Sequence, residues 1–440
     1  VPPRRLPDFD RGAPSTLTVG GETIGAFERE SVAVALFASG ASVLSRSLKY
    51  HRPRSFFCLE GHCGGCLMRI GGLPNQRACM EPCADGATVA GQNAYPSPDM
   101  DVLAAVDWMF PDGMNHHTLM TGSRLLNRVA NKVVRQLSGL GLLPQSPTFG
   151  ADDAELVQPD VLVIGGGPAG LAAAREAAAA GAHTLLCDEQ DAPGGSLLAD
   201  PRHGPGDAAA RAAEALRAGA RLESRATAIG YFPEDGGGVV AIATPRRLLV
   251  VRARAVVHAT GGYAQNRAFA NNDRPGVVAA RAVGRLLVRY GVVPAERICL
   301  VGGDGAEADY AAALARALAA AGCDVTAIDP RHHRVVGARG RAAVRALEVS
   351  DAAGNTRRIA CDLIAVAAPP APASEAARQH GCAVELRPRG GGFAVVVDQD
   401  GRTSMPGVFA CGDVCGATTP ALAAETGARV GRAAAAEAAP

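Results

Sequence analysis

Aromatic side chains make up only 4% of this 440-residue chain, and a single tryptophan is present. No apolar run reaches about 18 residues without a charge or a Gly or Pro break, so no membrane-spanning helix is expected. The opening VPPRRLPDFDRGAPS lacks the apolar stretch of a signal peptide, which makes a cytoplasmic location the expectation. Excess charge of either sign is also missing: 44 Lys and Arg stand against 43 Asp and Glu, scattered along the chain. No broad field advertises nucleic acid or an anionic membrane as a partner. Twelve cysteines are too few for a disulfide scaffold of this length, yet four fall between positions 58 and 79. Such bunching suggests a metal centre.

What the chain has in abundance is glycine, 53 residues, and alanine in runs such as AAAREAAAAGA. Small residues at this density suit tight βα turns and closely packed helices, so the expected class is α/β. With 48% hydrophobic and 20% charged residues the chain is expected to fold. At roughly 150 residues per domain its length fits about three units.

TLTVGGETIG (16–25) reads as two strands around a GG turn, VAVALFASG as a helix, and CLMRIGGLPNQRAC as a second hairpin. This is the order of a β-grasp ferredoxin module, expected over 14–98. Cys58, Cys63 and Cys66 form C-x4-C-x2-C, and twelve residues separate Cys66 from Cys79. That is the plan of a plant-type [2Fe-2S] loop, and Gly61, Gly64 and Gly65 let the backbone wrap a cluster and aim N–H groups at its sulfurs. Structural zinc usually takes two C-x2-C-like pairs, and one is present. Cys83 is an alternative fourth ligand to Cys79, and His62 is expected to be solvated.

A helical linker is expected over 99–156, with an FAD-binding Rossmann-like domain over 157–270 and 391–437. In VLVIGGGPAGLAAAREAAAAGAHTLLCDE a buried strand leads into Gly165-x-Gly167-Pro168-Ala169-Gly170 and a helix. Gly165 permits the turn, Gly167 lets a pyrophosphate approach, and Gly170 lets helix and strand pack closely. The helix N-terminus supplies N–H donors to phosphates. Asp188, 18 positions after Gly170, is the expected ribose carboxylate in preference to Glu189, and Gly195 and Ser196 of the following GGSLL complete this side. VVHATGG, with Ala259, Thr260 and Gly261, resembles the ATG segment of glutathione-reductase-type flavoproteins. SMPGVFACGDVCG resembles their closing GD motif, in which Asp413, after Gly412, would accept a hydrogen bond from the ribitol chain of FAD.

A second unit, expected over 271–390, repeats the plan as Gly303-x-Gly305-x-x-Ala308 with Asp329 after its second strand. Asp304 and Glu307 would set two negative charges against a pyrophosphate there, so an NAD-type site is expected to be vestigial. Disulfide-reductase chemistry needs a redox pair beside the flavin. GGSLL is followed by none, and Cys299, Cys323, Cys361 and Cys382 are isolated in sequence, while Cys411 and Cys415 read as small packing residues.

Together with SLKYHRPRS, HHTLMTGSR, DEQDAPGGSLL and NNDRPGVV, these motifs resemble the α subunits of bacterial multi-subunit flavin-dependent amine and amino-acid oxidoreductases. That group includes heterotetrameric sarcosine oxidase, hydrogen cyanide synthase, opine oxidase and the proline and hydroxyproline dehydrogenases. The resemblance covers most of residues 14–436. It implies a [2Fe-2S] cluster on Cys58, Cys63, Cys66 and Cys79, and FAD at the first dinucleotide site, a site that takes NAD or ATP in some members. It also implies a flavoprotein β subunit where a small amine or imino acid is oxidised, further small subunits in some complexes, and FMN at the interface in some. The chain ends about 25 residues past its GD motif, which argues against tetrahydrofolate chemistry. The function implied is electron transfer through flavin and cluster, with no catalytic residue on this chain. A self-contained NADH-dependent reductase and a non-catalytic scaffold are the alternatives. His116 and His117, and the basic turn of Lys49, His51, Arg52 and Arg54, are secondary candidates for flavin or partner contacts.

Overall fold

The computed structural model describes residues 4–48, 50–109, 123, 125, 128–129, 153–234, 238–388 and 391–439. Near the N-terminus, alternating strands pair as a mixed five-stranded sheet in the order Glu22–Phe27, Pro14–Val19, Ala87–Ala90, Leu67–Ile70, Leu73–Arg77. Pro14–Val19 and Ala87–Ala90 run parallel, and the other pairs are antiparallel. The helix Val32–Ala38 buries Val32 through Leu36 against this sheet. This is the β-grasp arrangement expected from the two GG hairpins.

The first dinucleotide unit is a parallel five-stranded sheet in the order Arg221–Ser224, Thr184–Asp188, Val161–Ile164, Ala255–His258, Val408–Ala410. Its central strands read as unbroken apolar runs because both faces are covered. The chain order reverses on either side of Val161–Ile164, so the crevice beyond its carboxyl end is a topological switch point, the usual place for a ligand in such sheets. The helix Pro168–Ala179 starts there. A Cβ on Gly170 would lie 1.8 Å from the Gly165 carbonyl oxygen, and one on Gly427 of the closing helix Pro420–Ala438 would lie 2.1 Å from the Ala169 oxygen. Helix, loop and closing helix therefore touch through backbone, which only glycine permits.

A second parallel sheet, in the order Val277–Ala279, Leu363–Val366, Arg297–Val301, Asp324–Ile328, forms the other unit. The helix Ala280–Val288 after its first strand shares one continuous core with the N-terminal module, in which Leu17, Val34 and Phe56 join Val283 and Leu286. The Ala279 amide also donates to the Phe57 carbonyl at 3.0 Å.

Two boundaries differ from the sequence reading. Asp153–Val157, inside the expected linker, is a strand paired with Arg247–Val251, because its alternation matches that sheet's partly exposed face. Residues of the expected second unit, Ala377 and Cys382, pack with Val408, Ala410 and Val414, so the chain returns to the first unit before position 391. Apolar side chains shared with the closing strand pull this segment across. Most of the expected linker helices, with His116 and His117, lie outside the described residues, as does Lys49.

Beneath the ATG segment His258, fully buried, meets His380 at 2.8 Å between Nε2 and Nδ1, and Tyr231 stacks on His380 with ring centroids 3.8 Å apart. Burial, with the charge of His380, pushes the His258 imidazole down to about 3, and burial alone pushes His380 down to about 4. Unfolded histidines take up protons near pH 6.5, and the folded pair refuses them, so stability is full above that pH and falls as the pH drops towards 4 and 3. Between pH 7 and pH 5 one such histidine is worth about 2 kcal/mol. Urea midpoints for the wild type are expected to fall over this interval more steeply than for a His258→Asn/His380→Gln double variant. Equal pH slopes would contradict the assignment.

Candidate cofactor site

The cysteine loop is built by small residues. A Cβ on Gly65 would lie 2.2 Å from the Ser55 carbonyl oxygen, so the loop can fold back on its own entry strand only with glycine there. Cys58 lies in hydrogen-bonding contact with Cys63 and Cys79, and Cys66 with Cys79. The amides of Glu60 and His62 each donate to the Cys58 sulfur at 3.4 Å, and that of Gly65 to Cys63 at 3.5 Å. Hydrogen bonds from the Cys63 and Cys79 thiols, joined by these amides, pull Cys58 below the ordinary thiol range. The four residues of the predicted C-x4-C-x2-C…C pattern are thus brought together with donors aimed at sulfur. Cys83 stands outside that set, its thiol pushed up to about 12 by burial and by Glu30.

The largest well-enclosed crevice, a cavity of about 480 Å³, opens at the switch point of the first dinucleotide sheet. Gly165, Gly167, Pro168 and Ala169 line it, with Asp188, Glu189, Gly195 and Ser196 on one side and Ala259, Thr260, Gly261, Gly412 and Asp413 on the other. Gly170 does not line it and acts instead in the helix–strand contact described above. Gly165 has φ +106°, a conformation that favours glycine, and a Cβ there would strike the Ala259 carbonyl oxygen at 2.3 Å. A Cβ on Gly167 would meet no atom within 4 Å, so this backbone borders open space, as a pyrophosphate requires.

Asp188 is fully buried, and loss of water raises its carboxyl to about 6 despite amide donors from Gln190 and Gly166. Its Oδ1 accepts from Gln190 at 2.7 Å and its Oδ2 from Gly166 at 2.5 Å. Each oxygen keeps a lone pair for a ribose hydroxyl. Glu189 is less buried and lies 3.7 Å from His62 Nε2. Asp413 accepts from the Thr418 amide at 2.9 Å and pairs with Arg281 at 3.3 Å. The Thr260 hydroxyl donates to the Ala373 carbonyl at 2.7 Å. The residues present fit an adenine dinucleotide: a glycine turn, a helix N-terminus, a buried carboxylate at the ribose position and cationic side chains in one crevice.

Several wall residues were not anticipated. Glu60 and His62 of the cysteine loop line the same cavity, together with Arg77, Arg281, Arg285 and Tyr263. His62 is not simply solvated: its ring sits 4.6 Å from that of Tyr263, whose hydroxyl donates to Glu375 at 2.9 Å. Arg281 and Arg285 stand four residues apart in the otherwise mostly apolar helix ARAVGRLLV, a pattern that a sequence reading could have singled out. The basic turn, in contrast, is neutralised internally. His51 Nδ1 lies 3.0 Å from Asp101, Arg52 bonds Asp107 at 2.9 Å, and Arg54 lies 3.5 Å from Asp273.

At the second loop Glu307 does not face a phosphate position. It is buried and holds Arg281 at 2.9 Å, while Asp329 is engaged by Arg331 at 2.7 Å. Cys299 and Cys361, isolated in sequence, contact one another through their thiols, and neither lines the cavity. Cys187 is the one cysteine lining it among the described residues.

Two substitutions test this geometry. Cys63→Ser is expected to remove the iron, near two per chain in the wild type, while sparing the nucleotide; tight zinc without acid-labile sulfide would contradict it. Gly167→Val meets open space within the protein, so the variant is expected to fold and yet fail to bind FAD. FAD retained at wild-type stoichiometry would overturn the placement.

Comparison with known proteins agrees with these features. A 2Fe-2S iron-sulfur cluster binding domain matches residues 12–94, a FAD dependent oxidoreductase family matches 160–219, and a pyridine nucleotide-disulphide oxidoreductase family matches 331–438. The alpha subunit of sarcosine oxidase from Rhizobium meliloti (strain 1021) is 33% identical over 83% of this chain and 40% of its own length. An opine oxidase subunit from Agrobacterium tumefaciens (strain Ach5) is 27% identical over 62% of this chain and 64% of its own. The chain thus spans less than two thirds of either relative. The crystal structure of L-proline dehydrogenase from P. horikoshii shares the fold, with a TM-score of 0.72 at 21% identity over 98% of this chain and 75% of that one. No helix among the described residues is long and apolar enough to cross a membrane. The chain is a [2Fe-2S]- and FAD-bearing oxidoreductase subunit homologous to the alpha subunit of sarcosine oxidase and to its opine oxidase counterpart.

Proposed function

We propose that this chain is the electron-transferring subunit of a heteromeric amine or imino-acid dehydrogenase or oxidase. Its small substrate (sarcosine, proline, hydroxyproline, glycine or an opine-like compound) is oxidised on a flavoprotein β subunit. One observation carries the reading: the loop bearing Cys58 and Cys63 forms a wall of the dinucleotide cavity through Glu60 and His62. FAD supplies a carrier that accepts two electrons together and releases them singly, and the cluster takes one at a time. The chain's own residues hold both carriers. Cys58, Cys63, Cys66 and Cys79 ligate the cluster, the Gly165–Gly170 turn and Asp188 hold the dinucleotide, and the amides of Glu60 and His62 stabilise thiolate sulfur.

The cavity wall offers little for substrate chemistry. Asp413 is committed to Arg281 and the Thr418 amide, Thr260 to a carbonyl, and Tyr263 to Glu375, with burial and Glu375 raising its phenol well above the ordinary range. No free acid–base pair is left beside the Gly-rich turn among these groups, which supports a partner as the site of amine oxidation. A cytoplasmic complex with the β subunit, and with FMN between subunits, completes the proposal.

One observation favours the NADH-dependent reductase more than the sequence did. Glu307 turns away to Arg281, so Asp304 alone brings negative charge to the second loop. Stopped-flow mixing of the isolated chain with NADH separates the readings. No flavin bleaching on the millisecond scale is expected, nor any oxidation of sarcosine or proline without a β subunit. Bleaching within milliseconds followed by cluster reduction would replace the subunit reading with the reductase.

A further inference from the structure

Arg285 is among the largest fully buried side chains of the protein. Its Nη2 donates to Glu60 Oε1 at 2.6 Å and, at 3.4 Å, to the Gly195 carbonyl. Its Nε and Nη1 are buried and have no hydrogen-bond partner. A guanidinium has five N–H donors, and leaving several unmet away from water is costly unless an anion arrives to accept them. Arg281, one turn earlier, differs in being balanced by two carboxylates, Glu307 and Asp413. The unmet donors of Arg285 belong to the wall of the dinucleotide cavity, and Gly195, beside them, packs against Gly167, with a built Cβ 2.9 Å from the Gly167 Cα.

Glu60 carries this contact further. Its carboxylate holds Arg285, and its amide donates to the Cys58 sulfur at 3.4 Å. Hydrogen bonds to cluster sulfurs are among the factors that set the potential of an iron–sulfur centre. We propose that Arg285 is the anion-holding side chain of the cavity and that, through Glu60, it couples occupancy of the dinucleotide site to the hydrogen bonding of Cys58. The inference rests on the reading of this crevice as the FAD site beside the cluster. Arg285 is a binding residue and Glu60 a positioning residue: with the site filled, the guanidinium is shared between the dinucleotide and Glu60, and the cluster loop feels the difference.

The test uses the full chain loaded with iron and FAD, whose contents are measured first. A wild type lacking either carrier would refute the reading of the site, whereas the outcomes below bear on the coupling. Arg285→Met is expected to weaken FAD about tenfold or more, as loss of a charge-assisted bond to an anion should. Arg285→Gln, which keeps a donor for Glu60 and preserves the fold if the methionine variant does not, is expected to show a similar loss. ADP identifies the acceptor: if it weakens in parallel with FAD, the pyrophosphate is held, and if FAD alone weakens, the flavin end is held. The second readout is the cluster's visible circular dichroism and midpoint potential, compared between FAD-loaded and FAD-stripped protein. Wild type is expected to show a difference, and Glu60→Ala to bind FAD while losing more than half of it. FAD affinity within about twofold of wild type in both Arg285 variants, or an undiminished difference in Glu60→Ala, would overturn the proposal.

Discussion

A guanidinium taken out of water needs carboxylates or carbonyls for its donors, and the helix Ala280–Val288 takes two of them inward, at Arg281 and Arg285. Their partners come from three separate parts of the chain: Glu60 in the cysteine loop, Glu307 at the second dinucleotide loop and Asp413 in the closing GD segment. Burial by itself lowers Arg281, but the three carboxylates Glu307, Asp413 and Glu60 outweigh it and hold the group charged well above the usual range. Breaking such pairs one partner at a time leaves an uncompensated charge, which is far worse than never having buried it. The two arginines thus oblige the three parts to stay in one arrangement around the cavity.

That arrangement explains why a β-grasp module and a flavoprotein share one core. The module's sheet cannot bury its helix face and its cysteine loop alone, and Val283 and Leu286 on the apolar side of the arginine helix complete its interior. The polar side of the same helix faces the dinucleotide crevice. One short helix therefore serves as apolar support for the cluster domain and as cationic wall for the cofactor. Arg4–Arg5, paired antiparallel with Val292–Val293, fastens the N-terminus to the strand that follows it.

Much of this was legible in the sequence, for a local reason. Cluster ligation and pyrophosphate binding both demand fixed spacings and small residues within a dozen positions, so Cys58, Cys63, Cys66, Gly165, Gly167 and Gly170 announce themselves. Asp188 and Asp413 follow at predictable points of the same fold. What stayed hidden was long range. Arg285 and Glu60 are 225 positions apart, and nothing local says that a buried arginine will meet a cluster loop. Glu307 misled for the same reason: read locally it opposes a phosphate, whereas the fold supplies Arg281 from another segment. The boundary near 391 was misplaced because the contacts of Ala377 and Cys382 with Val408 and Val414 are invisible to composition.

The central claim is that cluster and dinucleotide exchange electrons inside a single chain, across the wall formed by Glu60 and His62. Its most direct test is anaerobic light-driven reduction of the isolated FAD-loaded chain, followed at the flavin and cluster absorption bands over a range of protein concentrations. The account predicts cluster bleaching that follows flavin bleaching at a rate independent of concentration. A rate that rises in proportion to concentration, or a cluster that stays oxidised while the flavin is fully reduced, would contradict it.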